Sequence, residues 1–396
     1  MERERSSTLV LERRREALVK TIEVIDERCH EYVRRLEAMR ECGAEAEAGA
    51  PPVGRWGAEW PTAEHEHLVA SADAVVRRLL TTENYDSVSN FISLHDAYSK
   101  YGGPLRKLFG RYSPPIRRRR YTCVGLGIEL IKRLRCLEKQ WRGLIAATAL
   151  VSCEEAVEDV WEYVRGGEGP ATMAAAEKEH VMVCVTISVD GRPGVLLADP
   201  GYHVPMVITV MMDSAYPHTG WFTQSEEKHG CKRYSYAFCP ADSRYVEWRE
   251  KEVRGDVEKQ QTSLVYVAQP YLDGVNVTER RNLVYNFRSL LARDQKGHVT
   301  AGLYFPVGAP FKDAQFTLFF DNGSEKIKIK YKFANFTDRE SVPANITQVV
   351  EMCNAQMNYS KGELFTIICK LSKVLSNKSF IDQTLEINDD ICRLCL

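Results

Sequence analysis

The sequence predicts an α+β protein with a helical N-terminal part, a central antiparallel sheet or barrel, and a C-terminal strand-rich part that ends in a helix. Three observations lead to this prediction. Apolar residues recur at helical spacing through much of the first 165 positions. Strict alternation of apolar residues begins at His180. Alternating runs return after about residue 260 and are followed by two segments of helical period, Asn345–Met357 and Ser360–Leu375.

These changes of pattern divide the chain into four parts. They are 1–61 (an N-terminal helix and linker), 62–165 (helices), 166–260 (antiparallel strands) and 261–396 (strands, then helices). Residues 6–41 have helical spacing and predict a helix packed on the body of the protein, with a short coiled coil to a partner as the alternative. Residues 43–61 are rich in Gly, Ala and Pro and predict a linker. Residues 63–110 predict two or three helices, and a further helix is predicted from Cys123 to about Arg165.

The strand predictions rest on runs of alternating or β-branched residues. Val181–Val189 alternates, Asp190-Gly191-Arg192-Pro193 forms a turn, and Gly194–Asp199 returns, which predicts a hairpin. The other predicted strands are Val204–Met212, Ser263–Ala268, Leu283–Phe287, Ala301–Phe305, Gln315–Phe320 and Lys326–Phe333. The last of these alternates apolar residues with lysines, so a half-buried strand with a basic outer face is expected.

Charge and composition exclude several function classes. The chain carries 53 basic and 54 acidic residues, whereas a general nucleic-acid binder would have a basic excess. The charged N-terminus leads to no apolar signal core, and no apolar run is long enough to cross a bilayer, so a cytoplasmic protein that contacts no membrane is expected. The twelve cysteines lack a framework spacing and are expected to be reduced. No metal site is expected, because the Cys392–Cys395 pair has no second pair to complete it.

Cys123 is the strongest candidate for chemistry. It follows the basic run Arg117–Arg120 and begins an apolar stretch of helical spacing, so its thiol would feel the positive end of a helix dipole that favours the thiolate. His180 then begins one predicted strand and Asp199 ends the next. A nucleophile, a base and a residue that orients the base would follow in that order. The alternative is a buried structural cysteine, a histidine at a strand end and an aspartate that forms a turn.

Three segments carry a resemblance to a known family. They are Tyr121-Thr122-Cys123 before a buried helix, the strand that opens with His180, and Leu196–Tyr202, which contains Asp199. Together they resemble the arylamine N-acetyltransferases, which belong to the papain-like and transglutaminase-like Cys-His-Asp enzymes. The resemblance covers roughly residues 62–375, and only these segments are specific. Two departures stand out: Arg120-Tyr121-Thr122 replaces the usual glycine pair before the cysteine, and the long interval to His180 predicts an inserted loop near Gly166–Glu179.

The resemblance implies an α+β protein with a Cys-His-Asp catalytic core. Cys123 would carry an acyl group as a thioester, His180 would act as the base, and Asp199 would orient His180. The co-substrate would be acetyl-CoA or another acyl-CoA, and the acceptor an amine-type small molecule. Arg119 and Arg120 would bind the phosphates of the acyl-CoA, with a solvated or nuclear-import patch as the alternative.

Two other functions stay open at this point. One is a cysteine hydrolase or transglutaminase-like enzyme that acts on protein substrates. The other is a catalytically inactive family member that serves as an interaction protein, with the N-terminal helix as the element that docks on its protein partner. The first predicts an extended groove, and the second predicts an unreactive Cys123.

Overall fold

The computed structural model describes residues 58–165, 179–227, 230–255, 257–308, 310–321, 323 and 325–394. The predicted helix at 6–41 and most of the predicted linker therefore lie outside the described residues. Nearly all of the predicted insertion near Gly166–Glu179 lies outside them as well. The described chain is α+β, as the sequence predicts, and most of its strands form two antiparallel arrangements.

The described residues form fourteen strands, nine α-helices and two short 3₁₀ helices, Arg135–Leu137 and Phe333–Phe336. The strands are β1 (Ala58–Trp60), β2 (Tyr85–Asp86), β3 (Thr148–Glu154), β4 (His180–Val189), β5 (Arg192–Ala198), β6 (Ile208–Met211), β7 (Phe222–Glu227), β8 (Gly230–Phe238), β9 (Tyr245–Arg254), β10 (Val257–Tyr266), β11 (Phe287–Arg293), β12 (Val299–Pro306), β13 (Gln315–Asp321) and β14 (Lys326–Lys332). The α-helices are α1 (Thr62–Thr82), α2 (Ser89–Tyr101), α3 (Leu105–Phe109), α4 (Cys123–Leu134), α5 (Val160–Arg165), α6 (Arg280–Asn282), α7 (Ala344–Gln356), α8 (Glu363–Ser376) and α9 (Lys378–Leu394). A π-helical turn, Val275–Glu279, leads directly into α6.

The larger sheet is curled into a half-barrel, with the strand order β6-β5-β4-β3-β10-β9-β8-β7. The predicted hairpin is confirmed, since β4 and β5 are antiparallel and Val183 pairs with Ala198. The short strand β1 adds to β4 in parallel. One face of the larger sheet buries large aromatic side chains, which include Tyr234, Tyr236 and Trp248, so this face forms a packed core.

The helix predicted from Cys123 to about Arg165 is confirmed at its two ends and is wrong between them. Helix α4 ends at Leu134, a 3₁₀ turn follows over Arg135–Leu137, and the chain then enters β3, which lies between β4 and β10 in the sheet, before α5 begins at Val160. Alanine, threonine, leucine and valine in this stretch suit either a helix or a strand, so backbone pairing with two neighbouring strands decides the outcome. Cys153 pairs with His180, so the end of β3 lies beside the beginning of β4.

The smaller sheet has the order β14-β13-β12-β11-β2 and is covered by the C-terminal helices. Strand β14 has exposed lysines and half-buried apolar residues, as predicted. Strand β2 comes from the N-terminal helical part and pairs with β11, where Asp86 lies opposite Leu290. The sequence did not predict α9, nor the strands β7, β8 and β9.

The predicted strand Leu283–Phe287 is displaced, because Leu283 and Val284 are buried in a turn and β11 begins at Phe287. Buried Arg288 donates hydrogen bonds to the carbonyl oxygens of Asn282 and Leu283, which keeps this segment folded back as a turn. The sequence pattern records apolar spacing and contains no signal for such a contact.

None of the described helices combines the length and the apolar character that crossing a bilayer requires.

Candidate functional site

Cys123 is the first residue of helix α4. Thr122 precedes it in an extended conformation, and the helix is held in the core by Val124, Leu126 and Leu130, which are fully buried. The backbone N–H groups of the first turn have no acceptor within the helix and carry its positive dipole end. The Cys123 side chain is itself buried, so its thiol lies in a region of low dielectric at a helix N-terminus.

The sheet places His180 and Asp199 side by side. His180 begins β4, and Asp199 follows the last residue of β5, its antiparallel neighbour. The Nε2 atom of His180 lies 2.9 Å from Oδ2 of Asp199, and both side chains are buried. The second carboxylate oxygen, Oδ1, accepts a hydrogen bond of 3.0 Å from the backbone N–H of Tyr202, so each oxygen of the carboxylate has a partner that fixes its position.

Gly201 marks the point where the three residues meet. A methyl group built on Gly201 would lie 2.8 Å from Cε1 of His180, 2.9 Å from Cβ of Cys123 and 3.2 Å from Oδ1 of Asp199. The structure therefore brings Cys123, His180 and Asp199 together around one glycine. Because Nε2 of His180 faces Asp199, Nδ1 is the ring nitrogen left to face the thiol of Cys123.

The electrostatic surroundings favour the charged form of His180. Burial by itself lowers the pKa of the imidazole, but the charge and hydrogen bond of Asp199 raise it, and so does contact with Cys123. The net effect is a pKa well above the ordinary value for histidine. The ring also meets Tyr202 edge-on, with 4.7 Å between ring centroids, which restricts its rotation.

A cavity of about 300 Å³ opens beside the thiol. Its polar lining contains the carboxylates of Glu155 and Glu179, and Nη2 of Arg281 lies 3.3 Å from Oε1 of Glu179. Burial and the neighbouring carboxylates Glu155 and Glu154 raise the pKa of Glu179 to about 7. Aromatic side chains supply much of the rest of the lining: Tyr85, Tyr202, Tyr285 and Phe287.

Sequence reasoning missed the arginine that supports the loop after Asp199. Buried Arg293 on β11 donates to the carbonyl oxygens of Pro200 and Glu83, each at 2.6 Å, and lies 3.0 Å from Nδ1 of His203. Burial lowers the pKa of Arg293 to about 10, so it stays charged at neutral pH. One guanidinium thus ties the loop that contains Gly201 to the end of α1. No local sequence signal distinguishes Arg293 from a surface arginine.

Glu279 is a second missed residue, and it supports the helix that begins with Cys123. Its carboxylate accepts hydrogen bonds from the hydroxyl of Thr122 and from Nδ2 of Asn90, the latter at 2.7 Å. Glu279 is buried. Burial and the nearby Asp86 raise the pKa of Glu279 to about 7, although the two hydrogen bonds oppose this shift.

The raised pKa of Glu279 predicts a pH-dependent contribution to stability. Below about pH 4.5 the carboxyl is protonated in both the folded and the unfolded chain, so it costs no stability. Between about pH 4.5 and 7 the unfolded chain ionises while the buried carboxyl keeps its proton, so stability falls as the pH rises, and the loss is complete once the pH has passed the folded-state pKa of about 7. We therefore expect the free energy of unfolding of Glu279→Gln, measured relative to wild type, to be higher at pH 8 than at pH 5 by on the order of 2 kcal/mol. Urea unfolding at both pH values measures this gain. The exposed Glu340→Gln is the control, and a pH-independent difference for Glu279→Gln would contradict the assignment.

Arg119 and Arg120 do not contribute to the lining of this cavity. Arg120 forms ion pairs with Glu363 and with Asp86, and its guanidinium stacks 5.0 Å above the ring of Tyr359. Arg119 is exposed, with a φ of 62°. Arg120 therefore ties the segment before Cys123 to β2 and to α8.

Comparisons with protein-family models, with curated proteins and with solved structures found no match to this chain. Within the described ranges, no group of three or more His, Cys, Asp or Glu side chains has an arrangement that could hold a metal ion.

Proposed function

We propose that this protein is an acyltransferase that moves an acyl group, such as acetyl, from acyl-CoA through a thioester on Cys123 to an amine-type small molecule. One observation carries the proposal: Cys123, His180 and Asp199 converge on Gly201 beside a cavity of about 300 Å³. A thiol, a base that can hold its proton and a carboxylate that orients the base are the parts that nucleophilic catalysis by cysteine requires.

The first half-reaction transfers the acyl group to the enzyme. The thiolate of Cys123 attacks the acyl carbon and a tetrahedral intermediate forms, with negative charge on the former carbonyl oxygen. When the carbonyl reforms, the bond between carbon and the sulfur of CoA breaks, and the imidazolium of His180 gives its proton to the departing thiolate. The raised pKa of His180 supports this step, because it favours the charged form of the ring that the proton transfer requires.

The second half-reaction delivers the acyl group to the acceptor. The amine attacks the thioester carbon, and Nδ1 of His180 takes the proton that the amine loses. The thiolate of Cys123 then leaves as the amide forms, and the thiolate and imidazolium are restored together. Asp199 holds the Nε2–H of His180 throughout, so that Nδ1 keeps the lone pair that accepts the proton.

The size of the cavity supports a small acceptor over a polypeptide. About 300 Å³ is the lower end of the range for small-molecule sites, whereas a hydrolase or transglutaminase-like enzyme that acts on proteins needs an extended groove. The acyl-CoA donor and the amine acceptor rest on the resemblance to the arylamine N-acetyltransferases. Phosphate binding by Arg119 and Arg120 stays a prediction, and Arg120 already has carboxylate partners.

Intact-protein mass spectrometry after incubation with acetyl-CoA tests the proposal. We expect one added acetyl group on the wild type and none on Cys123→Ala. Cys136→Ala is the matched control, because this exposed cysteine reports nonspecific acylation of a surface thiol, and its adduct should equal that of the wild type. No adduct on a Cys123 that iodoacetamide still alkylates quickly would point to a different donor or to hydrolase chemistry. If acetyl-CoA leaves no adduct and iodoacetamide alkylates Cys123 slowly, a catalytically inactive interaction protein would be the best interpretation.

A further inference from the structure

The side-chain amide of Asn282 points at the thiol of Cys123. Its Nδ2 atom lies 3.9 Å from Sγ, and Asn282 is part of the cavity lining. The same nitrogen donates to the carbonyl oxygen of Thr278 at 3.1 Å. An amide nitrogen has two hydrogens, so one is used within the helical turn and the other is directed at the sulfur.

The surroundings hold Asn282 in this position. Its backbone carbonyl accepts a hydrogen bond of 2.7 Å from Arg288, a fully buried residue whose guanidinium stacks 4.5 Å above the ring of Phe91. The bond to Thr278 fixes the rotamer of the side chain. The amide is therefore preorganised, which is what a group that stabilises transient charge needs.

The position of Nδ2 of Asn282 suits a hydrogen bond to the oxygen of a tetrahedral intermediate formed on Cys123. An acyl carbon bonded to Sγ would place its oxygen one bond further from the sulfur, where a donor 3.9 Å from Sγ can approach it. The backbone N–H of Cys123 belongs to the first turn of α4, where N–H groups have no acceptor within the helix, so it is available as a second donor beside the thiol. Two such donors stabilise the oxyanion more than they stabilise the neutral carbonyl, and so they accelerate acyl transfer.

We infer that Nδ2 of Asn282 and the backbone N–H of Cys123 form the oxyanion hole of this site. The inference rests on the proposed function, since it assumes that acyl groups react at Cys123. It extends that function, because it names a catalytic residue that comes from the C-terminal part of the chain. The electron pair of the attacked carbonyl resides on the oxygen held by Asn282 until the leaving group departs.

The test compares two reactions of the same thiol. Acylation of Cys123 by p-nitrophenyl acetate passes through an oxyanion and releases nitrophenolate, whereas alkylation by iodoacetamide displaces iodide and forms no oxyanion. Both rates are followed by intact-protein mass spectrometry, with Cys123→Ala as the background. We expect Asn282→Ala to lower the acylation rate on the order of 10²-fold and to leave the alkylation rate within about threefold of wild type.

Two further variants sharpen the comparison. Asn282→Asp keeps the size of the side chain but removes both donors, so its acylation rate should fall at least as far as that of Asn282→Ala. Asn286→Ala changes an exposed asparagine four residues further along, and both of its rates should match those of wild type. A parallel fall in acylation and alkylation for Asn282→Ala and Asn282→Asp would overturn the inference, because Asn282 would then act on the thiol itself. Unchanged acylation in both variants would also overturn it.

The ester probe separates this inference from the proposed function. If acetyl-CoA leaves no adduct but p-nitrophenyl acetate acylates Cys123 in a manner that depends on Asn282, the oxyanion hole stands and the CoA donor is wrong. If a wild-type Cys123 that iodoacetamide alkylates is not acylated by the ester, the oxyanion hole is wrong.

Discussion

Asp199→Asn is expected to lower the rate of Cys123 acylation by acetyl-CoA about 10⁴-fold while the fold is kept. The backbone N–H of Tyr202 donates to Oδ1 of Asp199, so the oxygen of an asparagine would occupy that position and its NH₂ group would face His180. That NH₂ group would donate to Nε2 and move the ring hydrogen to Nδ1. A protonated Nδ1 on a neutral ring cannot take the proton of the thiol.

A time course by mass spectrometry measures the acylation rate, and the thermal midpoint reports whether the fold is kept. Asp294→Asn is the matched control, because Asp294 forms a comparable pair with His298 at the surface, 3.2 Å from Oδ2 to Nδ1. The control should acylate at the wild-type rate. A loss below tenfold in a folded Asp199→Asn protein would show that Asp199 does not orient the base.

Gly201→Ala is expected to lower the same rate by 10²- to 10³-fold, since a misplacement of about 1 Å between reacting groups already costs about 10²-fold. The added methyl group would lie 2.8 Å from Cε1 of His180 and 2.9 Å from Cβ of Cys123, both closer than carbon atoms approach each other. At least one of the two side chains must therefore move. Arg293 restrains the backbone of this loop, so we expect the displacement to fall on the thiol and the imidazole.

Gly220→Ala is the matched control for Gly201→Ala, because no heavy atom would lie within 4 Å of its new methyl group. Both variants are compared for acylation by acetyl-CoA, for alkylation by iodoacetamide and for thermal midpoint. Gly201→Ala should lose both reactions of Cys123, since the contact between thiol and imidazole is disturbed. Wild-type acylation in Gly201→Ala would contradict the close convergence of the three residues.

Local patterns predicted the elements that have a clear period or turn of their own. The hairpin of β4 and β5 follows from alternation on each side of Asp190-Gly191, and helices α7 and α8 follow from their helical period. Strand β3 was predicted as a helix because its residues suit both states, and its partners, β4 and β10, come later in the chain. Where a segment has no strong local preference, pairing with distant strands decides its structure.

The sequence by itself indicated Cys123, His180 and Asp199, because each stands at the end of a local element that its neighbours define. Only the tertiary structure showed that the three meet at Gly201, and only it added Asn282 and the buried carboxylate of Glu279. Asn282 is 159 residues from Cys123, and Glu279 is 157 residues from Thr122. A periodic pattern records which face of an element is buried, whereas a single polar contact between distant segments leaves no period, so packing alone determines it.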